Sequence, residues 1–352
     1  MTKGKDTMWC AWLLNGCWAF VLSARFPALV SACAGLLLSA QPAVSQEVKL
    51  NEVQRTLFYA PQYVALRIGA FEQEKLTIVG PKTTWGNQAS LTEIVSGNSN
   101  IVLMGPEAAM LTQDASPDRR LVNFAQLTNG DGSFIVSKTP MPNFKIADLK
   151  GKTIVTAGKG STPALALLHL IKNAGLDPDK DVTIRNIPIS TNILPSYFEP
   201  NTNFAQAFEP MVVKAVAENK GYRVASIGAL LGPVPYTAYM ASVSYIEKNP
   251  AIIQAFTNAI YKGLIWTNTH SAEEIAALVA PDFKDVPIET ILAVVTEYKK
   301  LNIWATDPMI SPDGLNRMAG LMVDGGILKQ PIPYNQIVNP EFAKKAIDTV
   351  KR

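Results

Sequence analysis

The sequence predicts an α/β protein made of two successive units and closed by a helical tail. Three observations carry this: short β-branched apolar runs alternate with helical patterns from residue 53 to 137, the alternation starts afresh at Lys152, and no strand pattern follows Ser242. In the first unit the strand candidates are 53–58 (VQRTLF), 76–79 (LTIV), 100–104 (NIVLM), 120–128 (RLVNFAQLT) and 134–137 (FIVS), with helical patterns over 61–74, 87–97 and 106–113. The second unit reads strand 152–158, helix 161–175, strand 181–187, helix 209–221 and strand 222–227. Short connections between such elements imply largely parallel sheets. In the tail, Pro250 sits in the first turn of a long helix, Ser271 with Glu273 and Glu274 forms a capped helix start, and further helices fit 288–300 and 311–325. A strand-free tail cannot build its own sheet, so it is expected to pack on the units before it.

Residues 1–45 have a basic start, an apolar stretch and a small-x-small pattern at Ala43-Val44-Ser45, which describes a secretory signal peptide cleaved before Gln46. Two other readings stay open. Val30-Ser31-Ala32-Cys33 resembles a lipobox whose Cys33 would be lipidated, and residues 8–24 are long enough for an uncleaved membrane anchor. All three export the rest of the chain, leaving it periplasmic or tethered to the outer face of the membrane.

Composition excludes much chemistry. All three Cys (Cys10, Cys17 and Cys33) lie in the first 33 residues, so the body has no thiol for disulfides, zinc, iron-sulfur clusters or nucleophilic catalysis. His169 and His270 are the only two His of the chain and stand far apart, a poor basis for a metal site, so no metal and no cofactor is expected. His169 reads as a helix-boundary residue and His270 as a C-terminal dipole partner. The leader holds three basic residues and one acid, so the body carries 29 basic against 28 acidic side chains. Such neutrality argues against nucleic acid as a partner. No Gly-x-Ser-x-Gly or His-Glu-x-x-His occurs, and no catalytic group is assembled, so no enzyme is expected.

What remains is a set of turns at strand ends. Lys152–Thr162 (KTIVTAGKGST) fails the phosphate-loop spacing, because position 153 is Thr and Gly160 follows Lys159. It still reads as strand, glycine turn and capped helix, whose free N–H groups hold an oxygen ligand or serve an ordinary capped turn. Tyr59-Ala60-Pro61-Gln62, Trp85-Gly86-Asn87 and Met104-Gly105-Pro106-Glu107 have the same construction. In open α/β sheets, ligands sit beyond the carboxyl ends of strands, where these turns point. Trp85 is one of three Trp outside the leader and is a candidate for stacking on a flat ligand.

These stretches resemble a family. Pro61–Ala65, Gly69–Leu76, Leu91–Gly97 with Asn100–Gly105, Asp148–Ile154, Ala207–Pro210 and Tyr245–Pro250 are similar to solute-binding proteins of ABC importers, in the group of sulfonate/taurine- and thiamine-pyrimidine-precursor-binding proteins, over about residues 50–345. The resemblance implies a two-lobe type II periplasmic-binding-protein fold (Venus flytrap) with a helical C-terminal tail. Lobe 1 would be 46–132 plus 244–352 and lobe 2 133–243, with crossings near Gly132-Ser133 and Ser242-Val243. It implies a monomer that binds a small-molecule solute and meets a permease with its ATPase subunit. The contacts would be Tyr59, Gln62, Trp85, Asn87, Gly105, Pro106 and Glu107 from lobe 1, and Gly160, Ser161, Thr162, Asn192 and Glu209 from lobe 2. Phe208-Glu209-Pro210 departs from the Trp-acid-Pro element of sulfonate and nitrate binders. A buried Glu209 carboxylate would suit a flat nitrogenous solute. Two rivals share the fold: a pyrimidine-precursor synthase, which would need the Cys the body lacks, and a sensory binding protein.

Overall fold

In the computed structural model, residues 45–188 and 192–351 are described; the leader and its three readings lie outside them, apart from Ser45. β1 (Gln46–Glu52) alternates exposed Glu47 and Lys49 with buried Val48 and Leu50. The expected strand at 53–58 is instead a bend and a one-turn 3-10 helix, because the Thr56 hydroxyl accepts from Phe58 N–H and caps Leu57–Tyr59. The expected helix 61–74 is broken at Gly69 into α1 (Ala60–Arg67) and α2 (Ala70–Gln73). There follow β2 (Leu76–Thr83), α3 (Asn87–Val95), β3 (Ile101–Met104), α4 (Glu107–Leu111) and β4 (Leu121–Thr128).

The second sheet is built from β5 (Ser133–Ser137), β6 (Thr153–Ala157), α5 (Thr162–Asn173), β7 (Thr183–Ile187), α6 (Leu194–Phe198), β8 (Phe204–Phe208), α7 (Met211–Ala217), β9 (Tyr222–Ser226) and α8 (Ile227–Leu231). β10 (Thr237–Ser242) then precedes the tail: α9 (Val243–Lys248), α10 (Pro250–Thr269), α11 (Ala272–Val279), α12 (Ile288–Lys300), α13 (Pro312–Asp324), α14 (Tyr334–Ile337) and α15 (Glu341–Thr349).

The two five-stranded sheets have the same plan. The first runs β2-β1-β3-β10-β4 and the second β7-β6-β8-β5-β9; in each, four strands run in one direction and the late-returning β10 or early β5 inserts antiparallel. β10 therefore corrects the expected lobe boundary. It pairs Tyr239 with Leu103 and Ala125 in the first sheet, so the return crossing falls ahead of Thr237 and not at Ser242-Val243. The chain leaves the first sheet after β4 and enters the second at β5. The two crossings run side by side: Val234 N–H donates to Asn129 O at 3.2 Å and Tyr236 N–H to Thr128 O at 3.1 Å.

The tail returns to the first sheet, as expected of a strand-free segment. Phe256 of α10 meets Phe71, Phe124 and Tyr239 at ring-centroid distances of 5.2, 6.0 and 5.0 Å. Part of the tail departs from the expected assignment to lobe 1. α13 packs on α5, with His169 Nδ1 2.5 Å from Asp324 Oδ2 and Lys172 Nζ donating to Asp324 O at 2.6 Å. His270 stacks on Trp266, with ring centroids 3.8 Å apart. No helix among the described residues is long and apolar enough to cross a membrane.

Asp131, on the outward crossing, is fully buried, and its Oδ1 accepts from Ser133 N–H at 2.7 Å. Burial raises its carboxyl to about 6, against the pull of the Ser133 bonds. The folded chain thus holds the proton more tightly than the unfolded chain, whose Asp titrates near ~3.9. The stability this group supplies is full below about pH 4 and lost as pH rises through about 6. Between pH 4 and 7 the wild type is expected to lose about 2–3 kcal/mol relative to Asp131→Asn in urea titrations; parallel pH profiles would refute this.

Candidate functional site

The ends of β1, β3 and β6 converge between the sheets. The carboxyl end of β1 leads through Val53 to Phe58 and Tyr59, both buried. Phe58 is the hub of the floor: its ring lies 5.7 Å from Tyr59, 5.8 Å from Tyr236, 5.6 Å from Tyr298 and 5.9 Å from Phe208 of the second sheet. Aromatic rings from both lobes and from the return crossing thus form one surface.

Above this floor lie three of the expected turns. Asn87 opens α3, Gly105 ends β3, and Ser161 and Thr162 begin α5; together with Tyr59, Phe58, Phe208 and Tyr236 they line a cleft of about 40 Å³. A water needs roughly 10–15 Å³, so this void holds about three. Solute sites run to roughly 300 Å³ or more. The lobes are shut, and a solute enters only if they part.

Glu107 lies behind the lining of the cleft, hydrogen-bonded to two residues that line it. Its side chain is buried, and its Oε1 accepts from Thr162 Oγ1 at 2.5 Å, across the lobes, and from Asn87 Nδ2 at 3.3 Å. Its Oε2 has no hydrogen-bond partner, and neither has the buried Ser161 Oγ. Burial pushes the Glu107 carboxyl up, offset in part by the Thr162 hydroxyl. Ser161 is the N-cap of α5 by backbone position, yet its side chain makes no capping bond. Gln206 of β8 fixes this helix end by donating to Pro163 O at 3.0 Å and Ser133 Oγ at 2.9 Å.

The other expected contacts lie elsewhere. Gln62 is fully buried, donating to Glu52 Oε2 at 2.8 Å and accepting from Tyr239 OH at 3.0 Å, so both ends of its amide are used in the first-lobe core. Glu209 is also spoken for: Oε2 accepts from Val213 N–H at 2.8 Å, Oε1 is paired with Arg223, and Arg223 Nη1 reaches Glu297 Oε2 of α12 at 3.1 Å. Burial pushes the Glu209 carboxyl up while Arg223 pulls it down, so the carboxylate assigned to a solute is a structural ion bridge. Trp85 is 53% exposed and does not line the shut cleft. Pro106 is buried, its carbonyl held by Asn123 Nδ2 at 3.2 Å. Gly160 faces Ile327 and an outer groove, and exposed Asn192 accepts from Leu194 N–H at 3.1 Å at the start of α6. Sequence reasoning missed Phe58 and Tyr236. The run Pro233-Val234-Pro235-Tyr236, a rigid crossing that carries an aromatic, was the available signal for the second.

Among the described residues no group of three His, Cys, Asp or Glu is gathered that could hold a metal ion. The residues that line the cleft offer aromatic faces, an amide and hydroxyls.

Two sheets of one plan, joined by adjacent crossings with a lined cleft between, define the two-lobe fold of periplasmic binding proteins. The chain belongs to the NMT1-like family, whose model matches residues 45–280. It is 36% identical over 329 residues to the putative binding protein YtlA of Bacillus subtilis (strain 168), covering 91% of this chain and 98% of that one. Its fold is similar to the ligand-binding component of an ABC-type import system from Staphylococcus aureus (TM-score 0.67, 16% identity, 86% of this chain and 99% of that one). It is similar also to the periplasmic aliphatic sulphonate binding protein SsuA of Escherichia coli (TM-score 0.67, 17% identity, 84% and 92%). The desulfurization enzyme DSZB has the fold too (TM-score 0.64, 14% identity, 87% and 100%).

Proposed function

We propose that this protein is an exported solute-binding receptor, which captures a small polar or heteroaromatic solute between its lobes and delivers it to the permease and ATPase of an ABC importer. The observation that carries the reading is the shut cleft itself. Aromatic floor, amide and hydroxyls meet between two sheets of one plan that are joined by adjacent crossings. The relatives named as binding proteins support it. Contacts retained from the sequence are Tyr59, Asn87, Gly105, Glu107, Ser161 and Thr162.

The enzyme precedent on this fold is weighed against the body's lack of any Cys after Cys33. Delivery to a transporter and signalling to a membrane sensor would use the same capture step; permease and ATPase genes beside this one distinguish them. The test of capture is thermal unfolding against a panel of pyrimidine precursors, purines, sulfonates, nitrate and aromatic acids. At least one solute should raise the melting temperature by several degrees at saturation, and a flat response to every class would refute the reading.

A further inference from the structure

α13 is tied to the first lobe on both sides and to the second lobe at its far end. The chain entering it runs along β4, the edge strand of the first sheet. There Asn129 N–H donates to Ile303 O at 2.8 Å, Ala305 N–H to Leu127 O at 3.0 Å and Gln126 N–H to Pro308 O at 2.9 Å. The chain leaving it comes back to the same strand, where Asn339 N–H donates to Asn123 O at 2.9 Å and Asn123 Nδ2 to Ile337 O at 3.0 Å. Between these anchors, Arg317 Nε donates to Pro233 O of the return crossing at 2.9 Å.

The far end of α13 lies on α5 of the second lobe. Asp324, its last residue, meets His169 through its carboxylate and Lys172 through its carbonyl. Asn173 Nδ2, 2.8 Å from His169 Nε2, holds the imidazole in this orientation. The turn that follows is pressed against the same helix: an added Cβ on Gly325 would come within 2.2 Å of Leu165 Cδ2, and Ile327 Cδ1 lies 3.6 Å from where a Cβ on Gly160 would stand. Gly160 and Leu165 flank Ser161 and Thr162, which line the cleft. The tip of α13 therefore bears on the helix start that shuts the cleft.

The two attachments are unequal. Backbone bonds along a strand edge hold α13 to the first lobe. The tip is held by side chains that stay partly in water, His169 at 26% and Asp324 at 40% exposure, and by a small apolar contact. Pairs of this kind hold weakly, so the tip is the contact that lets go when the lobes part.

Resting on the capture reading, we infer that α13 is a strap whose tip latches onto α5 and holds the lobes shut before any solute arrives. When the latch releases, the strap stays with the first lobe. The latch sets the share of molecules in the shut form, and apparent affinity for a solute held by that form scales with this share.

The test is a distance measurement on the full chain without solute. Spin labels go on Ser116→Cys and Glu218→Cys, one exposed site in each lobe, with Cys10, Cys17 and Cys33 replaced by serine. Pulsed electron resonance should show a short-distance component beside longer ones. Asp324→Ala, His169→Ala and Gly325→Val should each move at least half of the short component to longer distances. Asp324→Ala and His169→Ala combined should go no further than either alone. Because a partly exposed pair adds little to stability, the melting temperatures of these two variants should stay within about 2 °C of wild type. Should Gly325→Val fail to fold, the two alanine variants decide. A wild type with no short component, or variants whose distributions match wild type, overturns the latch and leaves capture standing, since the solute panel tests capture separately.

Discussion

Glu52→Ala is expected to lower the unfolding free energy by about 3–5 kcal/mol, the range for removing one partner of a buried charged network. Glu52 ends β1, is fully buried, and gathers four groups: Tyr63 OH donates to both oxygens at 2.7 Å, Gln62 Nε2 to Oε2 at 2.8 Å, Thr83 Oγ1 to Oε1 at 2.7 Å, and Arg55 Nε lies 3.4 Å from Oε1. Truncation leaves the Tyr63 hydroxyl and the Gln62 amide buried and unpaired, at roughly 1–3 kcal/mol each. Thr83 and Arg55, partly exposed, can turn to water. The network ties α1 to β1, whose carboxyl end leads to Phe58 and Tyr59, so solute binding should fall with stability. Urea denaturation measures the loss; a change under 1 kcal/mol would mean the carboxylate organises nothing.

Gly263→Val is expected to cost about 3 kcal/mol or more through overpacking. α10 crosses α1 at this glycine so closely that a Cβ would lie 2.5 Å from Pro61 O and 2.7 Å from Ala65 Cβ. The backbone carbonyl cannot rotate away as a side chain would, so the helices must separate. α1 begins at Ala60, next to Tyr59 of the cleft, so separation should also disturb the floor. Thermal unfolding and near-ultraviolet circular dichroism would record both effects. A melting temperature within a degree of wild type would show that the helix pair has slack.

The fold was largely legible because hydrophobic period and length separate strands from helices without tertiary information. The failures have local causes. β1 is hard to read because its alternation of Glu47 and Lys49 with Val48 and Leu50 is short and holds no apolar run beside the leader, and β8 (FAQAF) because two alanines in five residues carry no strand preference. The site was half legible. Turns at strand ends can be read from glycine, proline and polar residues, and Asn87, Gly105, Ser161 and Thr162 do meet. Which carboxylate is free cannot be read that way: Glu209 is satisfied by Arg223, fourteen residues on and brought back by β9, whereas Glu107 has only short hydroxyl and amide partners. Gln62 misled for the same reason, since Tyr239 reaches it from 177 residues away.

The central claim is that a solute is held between lobes that open and shut. Because the body has no Cys, replacing Cys10, Cys17 and Cys33 by serine and introducing Ser116→Cys and Glu218→Cys places one spin label on an exposed site of each lobe. Pulsed electron resonance then reads the distance across the molecule. The account predicts a broad distribution reaching to longer distances without solute, collapsing to one short, narrow peak at saturation with the tightest-binding probe. An identical distribution with and without a solute that calorimetry shows to be bound would contradict it.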